Sequence, residues 1–180
     1  MTNEARTSLP DIVVIAGAPG AGKTTVCRAL HARFSWPYVD LGQHLRQLHL
    51  DPQWETAFAR EEQMSFENLI AIARNYIRYG YTPVIITDLE DFRVPQIPSL
   101  FPDHRYLIIS LVCSNNELKT RVLEPTRDSG FRDVERTQEW NTTLRERSAV
   151  PNETRLDTTG QTPDETGEAV IQLIMGMQNP

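Results

Sequence analysis

Lysine is scarce in this sequence: only Lys23 and Lys119 occur, and the other 16 basic residues are arginines. Cysteine is equally scarce, because Cys27 and Cys113 are too few for a disulfide framework and form no C-x-x-C motif. Both lie in apolar stretches, so we expect core residues and not nucleophiles. The four histidines lack metal-ligand spacing, and no apolar run approaches the ~20 residues of a membrane span. These shortages argue against disulfide-rich, histidine–zinc and membrane-spanning proteins.

The charge balance is acidic, with a net charge of −6 over 180 residues, so no broad nucleic-acid-binding surface is expected. Hydrophobic residues make up 39% of the chain, which predicts one packed domain over residues 1–180. The polar N-terminus does not resemble a signal peptide, which favours a cytoplasmic protein, either a monomer or a homodimer. The preference for arginine suits phosphate binding, although codon bias explains it more simply.

Apolar runs alternate with amphipathic stretches, the pattern of an α/β protein with a parallel sheet. The predicted strands cover residues 11–16, 38–40, 83–87, 106–112 and 154–157. The predicted helices cover residues 22–34, 41–50, 65–79, 115–123, 134–147 and 164–177. We expect Asn115 or Asn116 to cap the fourth helix and Gly80 to end the third.

A phosphate-binding loop follows the first predicted strand and opens a helix. It matches G-x-x-x-x-G-K-[ST] in full, and with the residue after it comprises Gly17, Ala18, Pro19, Gly20, Ala21, Gly22, Lys23, Thr24 and Thr25. Glycines let backbone N–H groups turn inward around a phosphate, and the helix N-terminus adds positive charge. We expect Lys23 to reach the β- and γ-phosphates of ATP and the Thr24 hydroxyl to bind Mg²⁺.

A second anchor is Asp88, which ends the predicted strand 83–87. Ligands of open parallel sheets bind beyond the carboxyl ends of strands, so Asp88 approaches the phosphate loop if the two strands are neighbours. It could hold Mg²⁺ through water or accept the proton of an attacking hydroxyl. Glu90 and Asp91 compete for the role.

These features resemble the nucleoside and nucleotide kinase branch of the P-loop fold, the group of adenylate kinase, shikimate kinase and chloramphenicol phosphotransferase. The resemblance implies a three-layer α/β/α fold with strand order 2-3-1-4-5 and a lid that carries arginines. Residues 41–46 (Leu-Gly-Gln-His-Leu-Arg) are similar to the T-G-x-x-L-R segment of adenylate kinases, with leucine in place of threonine. Residues 88–96 follow their D-G-F-P-R-T-x-x-Q segment only in outline, which puts a nucleoside monophosphate acceptor in doubt.

The resemblance implies substrate contacts from an acceptor-binding insert at about 41–64 and from the segment after Asp88. Arg46 and Arg93 are the candidates there, and Asp40 is similar to the substrate-gripping aspartate of several small-molecule kinases. Asp40 or Asp88 could therefore be the catalytic base. Aromatic residues could line an acceptor pocket between 40–64 and 88–100, although core packing is their commoner fate: Trp54, Phe58, Phe66 and Phe92.

A polar stretch at 124–133, which contains Pro125 and Gly130, predicts an exposed loop. Arg121, Arg127 and Arg132 lie on or beside it. Such a loop could bring cations to the transferring phosphoryl group after the substrate binds, and Arg127 is the first choice because it is central. In relatives the loop before the final helix lies against the nucleotide base, which corresponds here to residues 157–160.

Two functions fit these predictions. The first is an ATP-dependent, magnesium-using phosphotransferase that acts on a small-molecule acceptor, either a nucleoside or nucleotide or another hydroxyl compound. The second is a nucleotide-binding switch or regulatory ATPase that acts on a macromolecular partner. The order of phosphate loop, acceptor segment, strand-end aspartate and arginine lid favours the first.

Overall fold

A computed structural model describes residues 9–48, 59–126 and 129–177. The strands are β1 (Ile12–Gly17), β2 (Tyr38–Asp40), β3 (Val84–Thr87), β4 (Tyr106–Val112) and β5 (Glu153–Asp157). The α-helices are α1 (Lys23–Phe34), α2 (Ala59–Arg78), α3 (Ile97–Leu100), α4 (Asn115–Leu123), α5 (Val134–Glu146) and α6 (Pro163–Gly176). All five strands run parallel in the order β2-β3-β1-β4-β5, which confirms the predicted fold and strand order.

Two apolar layers bury the sheet, one on each face. Alternate residues of β1 point in opposite directions: Val14 packs with the core beneath α2, whereas Val13 packs with the core beneath α1 and α6. Every residue of β1 and β3 is buried, as a strand covered on both faces requires. The result is the expected three-layer arrangement. None of the helices in the described ranges is long and apolar enough to cross a membrane.

Three features of the helices differ from the predictions: one helix start, one capping residue and one unpredicted segment. Helix α2 begins at Ala59, six residues early, because residues 59–64 are good helix formers with Glu61 and Glu62 in the first turn. Ser114, and neither asparagine, caps α4 by accepting a hydrogen bond from the backbone N–H of Glu117. The short helical segments at 91–100 were not predicted. Gly80 follows α2 with φ of 78°, as expected of a helix terminator.

The predicted helix 41–50 is wrong in type. Residues Leu41–Leu45 form a π-helical turn and Arg46–Leu48 a 3₁₀ turn, while residues 49 and 50 lie outside the described ranges. The Asp40 side chain accepts the backbone N–H of Gln43 at 2.9 Å and caps this segment. Short π turns occur often at functional sites, and this one lies at the carboxyl end of β2.

Candidate active site

The phosphate loop has the backbone that its glycines predict. Gly17, Gly20 and Gly22 have φ of 145°, 85° and 99°, a range that other residues rarely adopt. A Cβ atom on Gly17 would lie 2.6 Å from the carbonyl oxygen of Leu111, and one on Gly20 would lie 2.9 Å from a Val122 methyl group. Both positions therefore exclude a side chain, so the loop is held closely against β4 and α4.

Lys23 begins α1 and its side chain is 7% exposed. Its Nζ donates to the carbonyl oxygens of Gly17 at 3.0 Å and Ala18 at 3.3 Å. The same ammonium lies 3.4 Å from Asp88 Oδ1. Lys23, the only charged residue of the phosphate loop, therefore contacts Asp88, the carboxylate that follows β3.

Asp88 lies beside the phosphate loop because β3 pairs with β1. Thr87 is in register with Ile15, and the Thr87 hydroxyl donates to the Ile15 carbonyl oxygen at 2.6 Å. Asp88 itself has φ of 63°, a left-handed conformation that aspartate tolerates better than most residues. Its Oδ2 accepts from Arg46 Nη1 at 3.2 Å. One carboxylate thus joins the phosphate loop to the acceptor segment.

The candidate acceptor residues are held by side-chain partners. Arg46 contacts Glu62 as well as Asp88, and its side chain is 11% exposed. Arg93 Nε donates to Glu90 at 3.0 Å, and Arg93 Nη1 donates to Gln63 at 2.9 Å.

Asp40 is also engaged on both of its oxygens. Oδ2 accepts the Tyr38 hydroxyl at 2.7 Å and Oδ1 accepts the Gln43 amide. Burial, with the nearby Asp40 charge, raises the pKa of Tyr38, so this phenol stays a donor.

One cavity of about 1280 Å³ joins these groups. Asp40, Arg46, Asp88 and Arg93 line it on the predicted acceptor side, together with Glu62 and Glu90. The phosphate loop lines it from Pro19 to Thr25. Of the predicted pocket aromatics, Phe92 lines the cavity, Phe66 packs in the core, and Trp54 and Phe58 lie outside the described residues.

The three arginines predicted for the lid differ in their location and in their partners. Arg121 lies in α4, and its guanidinium donates to the Thr158 carbonyl oxygen at 3.0 Å and to Glu117. Arg132 donates to the carbonyl oxygens of Ser129 and Phe131 in its own loop and does not line the cavity. Arg127 lies outside the described residues. The described part of the loop does border the cavity, through Glu124, Thr126, Ser129, Gly130 and Phe131.

Two cavity residues on α5 were not predicted as site residues. Arg136 and Trp140 both line the cavity, one helical turn apart on the same face of α5. The i, i+4 spacing of an arginine and an aromatic residue just after the lid was the available signal. That signal was not distinctive, because the same helix carries several glutamates that could form ion pairs with its arginines.

The loop before α6 is fixed against α4. Gly160 donates its backbone N–H to Glu117 at 2.7 Å, and Arg121 binds both the carbonyl and the hydroxyl of Thr158. Residues 157–160 do not line the cavity, but Gln161 directly after them does. If a nucleotide base lies on this side, the contacts therefore begin one residue later than expected.

The residues present fit a Mg–ATP complex. The loop offers a glycine cradle that a Cβ would fill at two positions, and Thr24 and Asp88 line the same cavity. No cluster of three or more metal-binding side chains occurs in the described ranges. A magnesium ion that keeps its waters and binds mainly through phosphates needs only one or two protein ligands, so this donor set suits it.

Both cysteines are buried and unpaired by disulfides, as expected. Burial raises the pKa of each thiol, and for Cys113 it does so against the opposing charge of Arg121. A thiol with a raised pKa is a poor nucleophile at neutral pH. Both cysteines are therefore core residues of the site's framework.

Comparison with known protein families gives a match to the AAA_18 model, described as an AAA domain, over residues 13–141. The chain belongs to the AAA_18 family. The matched region of this AAA_18 protein runs from β1 into α5 and so includes the phosphate loop, Asp88 and the predicted lid segment 124–133. A search of curated proteins found no match.

Solved kinase structures share the fold of this AAA_18 protein. A sugar kinase from a Janibacter species superposes with a TM-score of 0.66 at 15% identity, over 93% of this chain and 98% of the other. A gluconokinase from Sinorhizobium meliloti gives 0.64 at 15%, over 94% and 92%. A shikimate kinase from Acinetobacter baumannii in complex with shikimate gives 0.61 at 16%, over 99% and 100%. The predicted resemblance to small-molecule P-loop kinases is confirmed at the level of the fold.

Proposed function

We propose that this chain is an ATP-dependent phosphotransferase that moves the γ-phosphoryl group onto a hydroxyl of a small molecule. The observation that carries the proposal is the position of Asp88, whose two oxygens contact Lys23 of the phosphate loop and Arg46 of the acceptor segment. A carboxylate at this junction has the donor phosphate on one side and the acceptor on the other. The continuous cavity supports the same arrangement.

The proposed reaction is a direct transfer. Lys23 and the loop amides bind the β- and γ-phosphates and neutralise their charge. The acceptor oxygen forms a bond to the γ-phosphorus, and the bond from that phosphorus to the β,γ-bridging oxygen breaks. Asp88 takes the hydroxyl proton, and ADP leaves with the electron pair of the broken bond. Arg127 and Arg136 are the proposed cations for the transferring group from the lid side.

Asp88 is a better base than Asp40 in this proposal. Each carboxylate has a partner on both of its oxygens, but Asp40 is only 1% exposed. The Asp88 side chain is 25% exposed and faces the cavity. A proton acceptor must come within hydrogen-bond reach of the substrate hydroxyl, which favours the accessible group.

Magnesium fits the proposed donor side. The Thr24 hydroxyl would hold it directly and Asp88 would hold it through water. When bound, Mg²⁺ would neutralise phosphate charge and orient the polyphosphate. Asp40, Arg46 and Arg93 are proposed to hold the acceptor, either directly or through their partners.

The description of the family as an AAA domain is also compatible with a second candidate, a nucleotide-binding switch or regulatory ATPase that acts on a macromolecular partner. The two differ in what accepts the phosphoryl group. A kinase needs the polar acceptor half of the cavity, and a switch does not. The charged groups around Asp88 therefore favour the kinase.

The test is a panel of nucleosides, nucleotides, sugars and antibiotics incubated with protein and Mg–ATP. We expect one class to raise ADP release well above the rate with water alone, and Lys23→Ala to abolish the increase. Size-exclusion chromatography with ATP adds a second measurement, in which we expect a monomer or homodimer. A protein that binds ATP, transfers nothing to any acceptor and assembles into rings with ATP would contradict the proposal.

A further inference from the structure

Each described arginine on the acceptor side of the cavity contacts a carboxylate or a side-chain amide. Arg46 contacts Glu62 and Asp88, and Arg93 contacts Glu90 and Gln63. The Arg93 guanidinium also packs over the ring of Phe66, 4.4 Å from its centroid. Two arginines that would ordinarily recognise an anion are therefore compensated before any acceptor binds.

The sequence of the acceptor insert has the same balance. Residues 41–64 contain two arginines, Arg46 and Arg60, against four carboxylates. The stretch 49–58 contains no lysine or arginine, so it supplies no further cation. Arg28 of α1 also lines the cavity, and its Nη2 donates to Gln43 Oε1 at 3.0 Å. The described lining of this half nevertheless has four carboxylates (Asp40, Glu62, Asp88 and Glu90) against three arginines (Arg28, Arg46 and Arg93), so it is not an electropositive pocket.

Glu62 adds a specific binding group. Its Oε1 contacts Arg46, while Oε2 is buried and meets no hydrogen-bond donor in the described part of the chain. The residue lines the cavity. A carboxylate at the cavity wall can accept a hydrogen bond from a substrate hydroxyl, whereas it repels a phosphate or carboxylate group.

We infer that the acceptor is an uncharged polyhydroxy compound of the sugar or nucleoside kind, bound through a hydroxyl that donates to the Glu62 carboxylate. The inference rests on the proposed function and narrows its substrate. In this arrangement Arg46 positions the carboxylates of Glu62 and Asp88, one for binding and one for proton acceptance. The exposed ring of Phe92, which lines the same cavity, offers an apolar face for the carbon skeleton.

Matched acceptor pairs test the inference on the native protein. Each pair is an uncharged compound and its phosphorylated form, such as cytidine with cytidine 5′-monophosphate and glucose with glucose 6-phosphate, with products followed by mass spectrometry. We expect kcat/KM to be about 100-fold higher for the uncharged member of whichever pair reacts. A preference for the phosphorylated member overturns the inference and leaves the phosphotransferase intact. No transfer to any acceptor overturns both.

A pair of variants on one helix tests the role of Glu62. Glu62→Gln removes the carboxylate that faces Arg46, so we expect about a 10-fold higher KM for the uncharged acceptor, an unchanged KM for ATP, and a relative gain for the phosphorylated acceptor. Glu61→Gln makes the same change one residue away, outside the cavity lining, and is expected to leave all three unchanged. Equal acceptor KM values in the two variants would overturn the role of Glu62. If Glu62→Gln fails to fold, the matched pairs still decide the acceptor class.

Discussion

Asp88→Asn is the most informative single change, because it removes a charge while keeping the size and conformation of the side chain. Asparagine tolerates the left-handed backbone of this position, where φ is 63°, about as well as aspartate does. The loop should therefore fold as before. What changes is the proposed proton acceptor and the negative partner of Lys23 and Arg46.

The two losses act in opposite directions. Loss of a general base lowers kcat by about 10²- to 10⁴-fold. Asp88 Oδ1 lies 3.4 Å from Lys23 Nζ, a separation at which the gross attraction is about 5 kcal/mol at an effective dielectric constant of ~20. Because the carboxylate is a quarter exposed, solvent reduces the net value to about 1 kcal/mol. Releasing Lys23 should therefore tighten metal-free ATP binding by roughly fivefold.

Steady-state kinetics and calorimetry measure the two effects separately. Titration of ATP with and without Mg²⁺ shows whether Asp88 also holds the metal, since a metal ligand would make Mg–ATP binding weaker in the variant. The matched variant is Asp40→Asn, whose amide oxygen can still accept the Gln43 backbone N–H, so we expect little change in stability and a smaller effect on kcat. If Asp40→Asn stops turnover and Asp88→Asn does not, Asp40 is the base and the proposed role of Asp88 is wrong.

Three further predictions concern the loop, the core and the lid. Gly17→Ala should lower the free energy of unfolding by more than ~2 kcal/mol and abolish ATP binding, because its Cβ would lie 2.6 Å from a carbonyl oxygen. The control is Gly167→Ala on α6, where a Cβ meets open space, so thermal melts should show a stability higher by about 0.5–1 kcal/mol. Burial acts to raise the pKa of Glu153, but hydrogen bonds, first from Arg147, lower it below its ordinary 4.5. The stabilising effect of Glu153 is therefore complete above pH 4.5 and lost as the pH falls further. Urea midpoints should show this loss in the native protein and not in Glu153→Gln. That variant should lower the free energy of unfolding by about 3 kcal/mol at pH 7, because it breaks the ion pair with Arg147. Arg127→Ala should lower kcat by on the order of 10³-fold with little change in ATP affinity, and an unchanged kcat would remove Arg127 from the lid.

The phosphate loop and the strand order could be predicted because their signals are local or follow from a known topology. The loop motif needs its glycines within eight residues, and the buried strands are short apolar runs. Asp88 was placed correctly once its strand was assumed to neighbour β1, which the pairing of Ile15 with Thr87 confirms. Each of these steps uses residues that are adjacent in sequence or in register.

The ion pairs of the acceptor side could not be predicted, because they join residues far apart in the chain. Arg46 meets Asp88 across 42 positions and Glu62 across 16. The predicted helix at 41–50 was right in being helical over residues 41–48 but not in type, because sequence patterns do not distinguish the π and 3₁₀ turns found there from an α-helix. Arg121 shows the same limit: its contact with Thr158, 37 positions away, could not be predicted, although it also lines the cavity beside the predicted lid.

The pairing of charges also bears on the choice between a kinase and a switch. An uncompensated arginine near the phosphates would serve either function, because both stabilise the charge of phosphoryl transfer. Arg46 instead holds Glu62 and Asp88 in the acceptor half of the cavity. Burying a guanidinium between two carboxylates carries a desolvation cost that ATP hydrolysis alone does not require. The arrangement is useful when the carboxylates must meet a second substrate, and this is the reason to look for an acceptor hydroxyl beside Glu62 before looking for a partner protein.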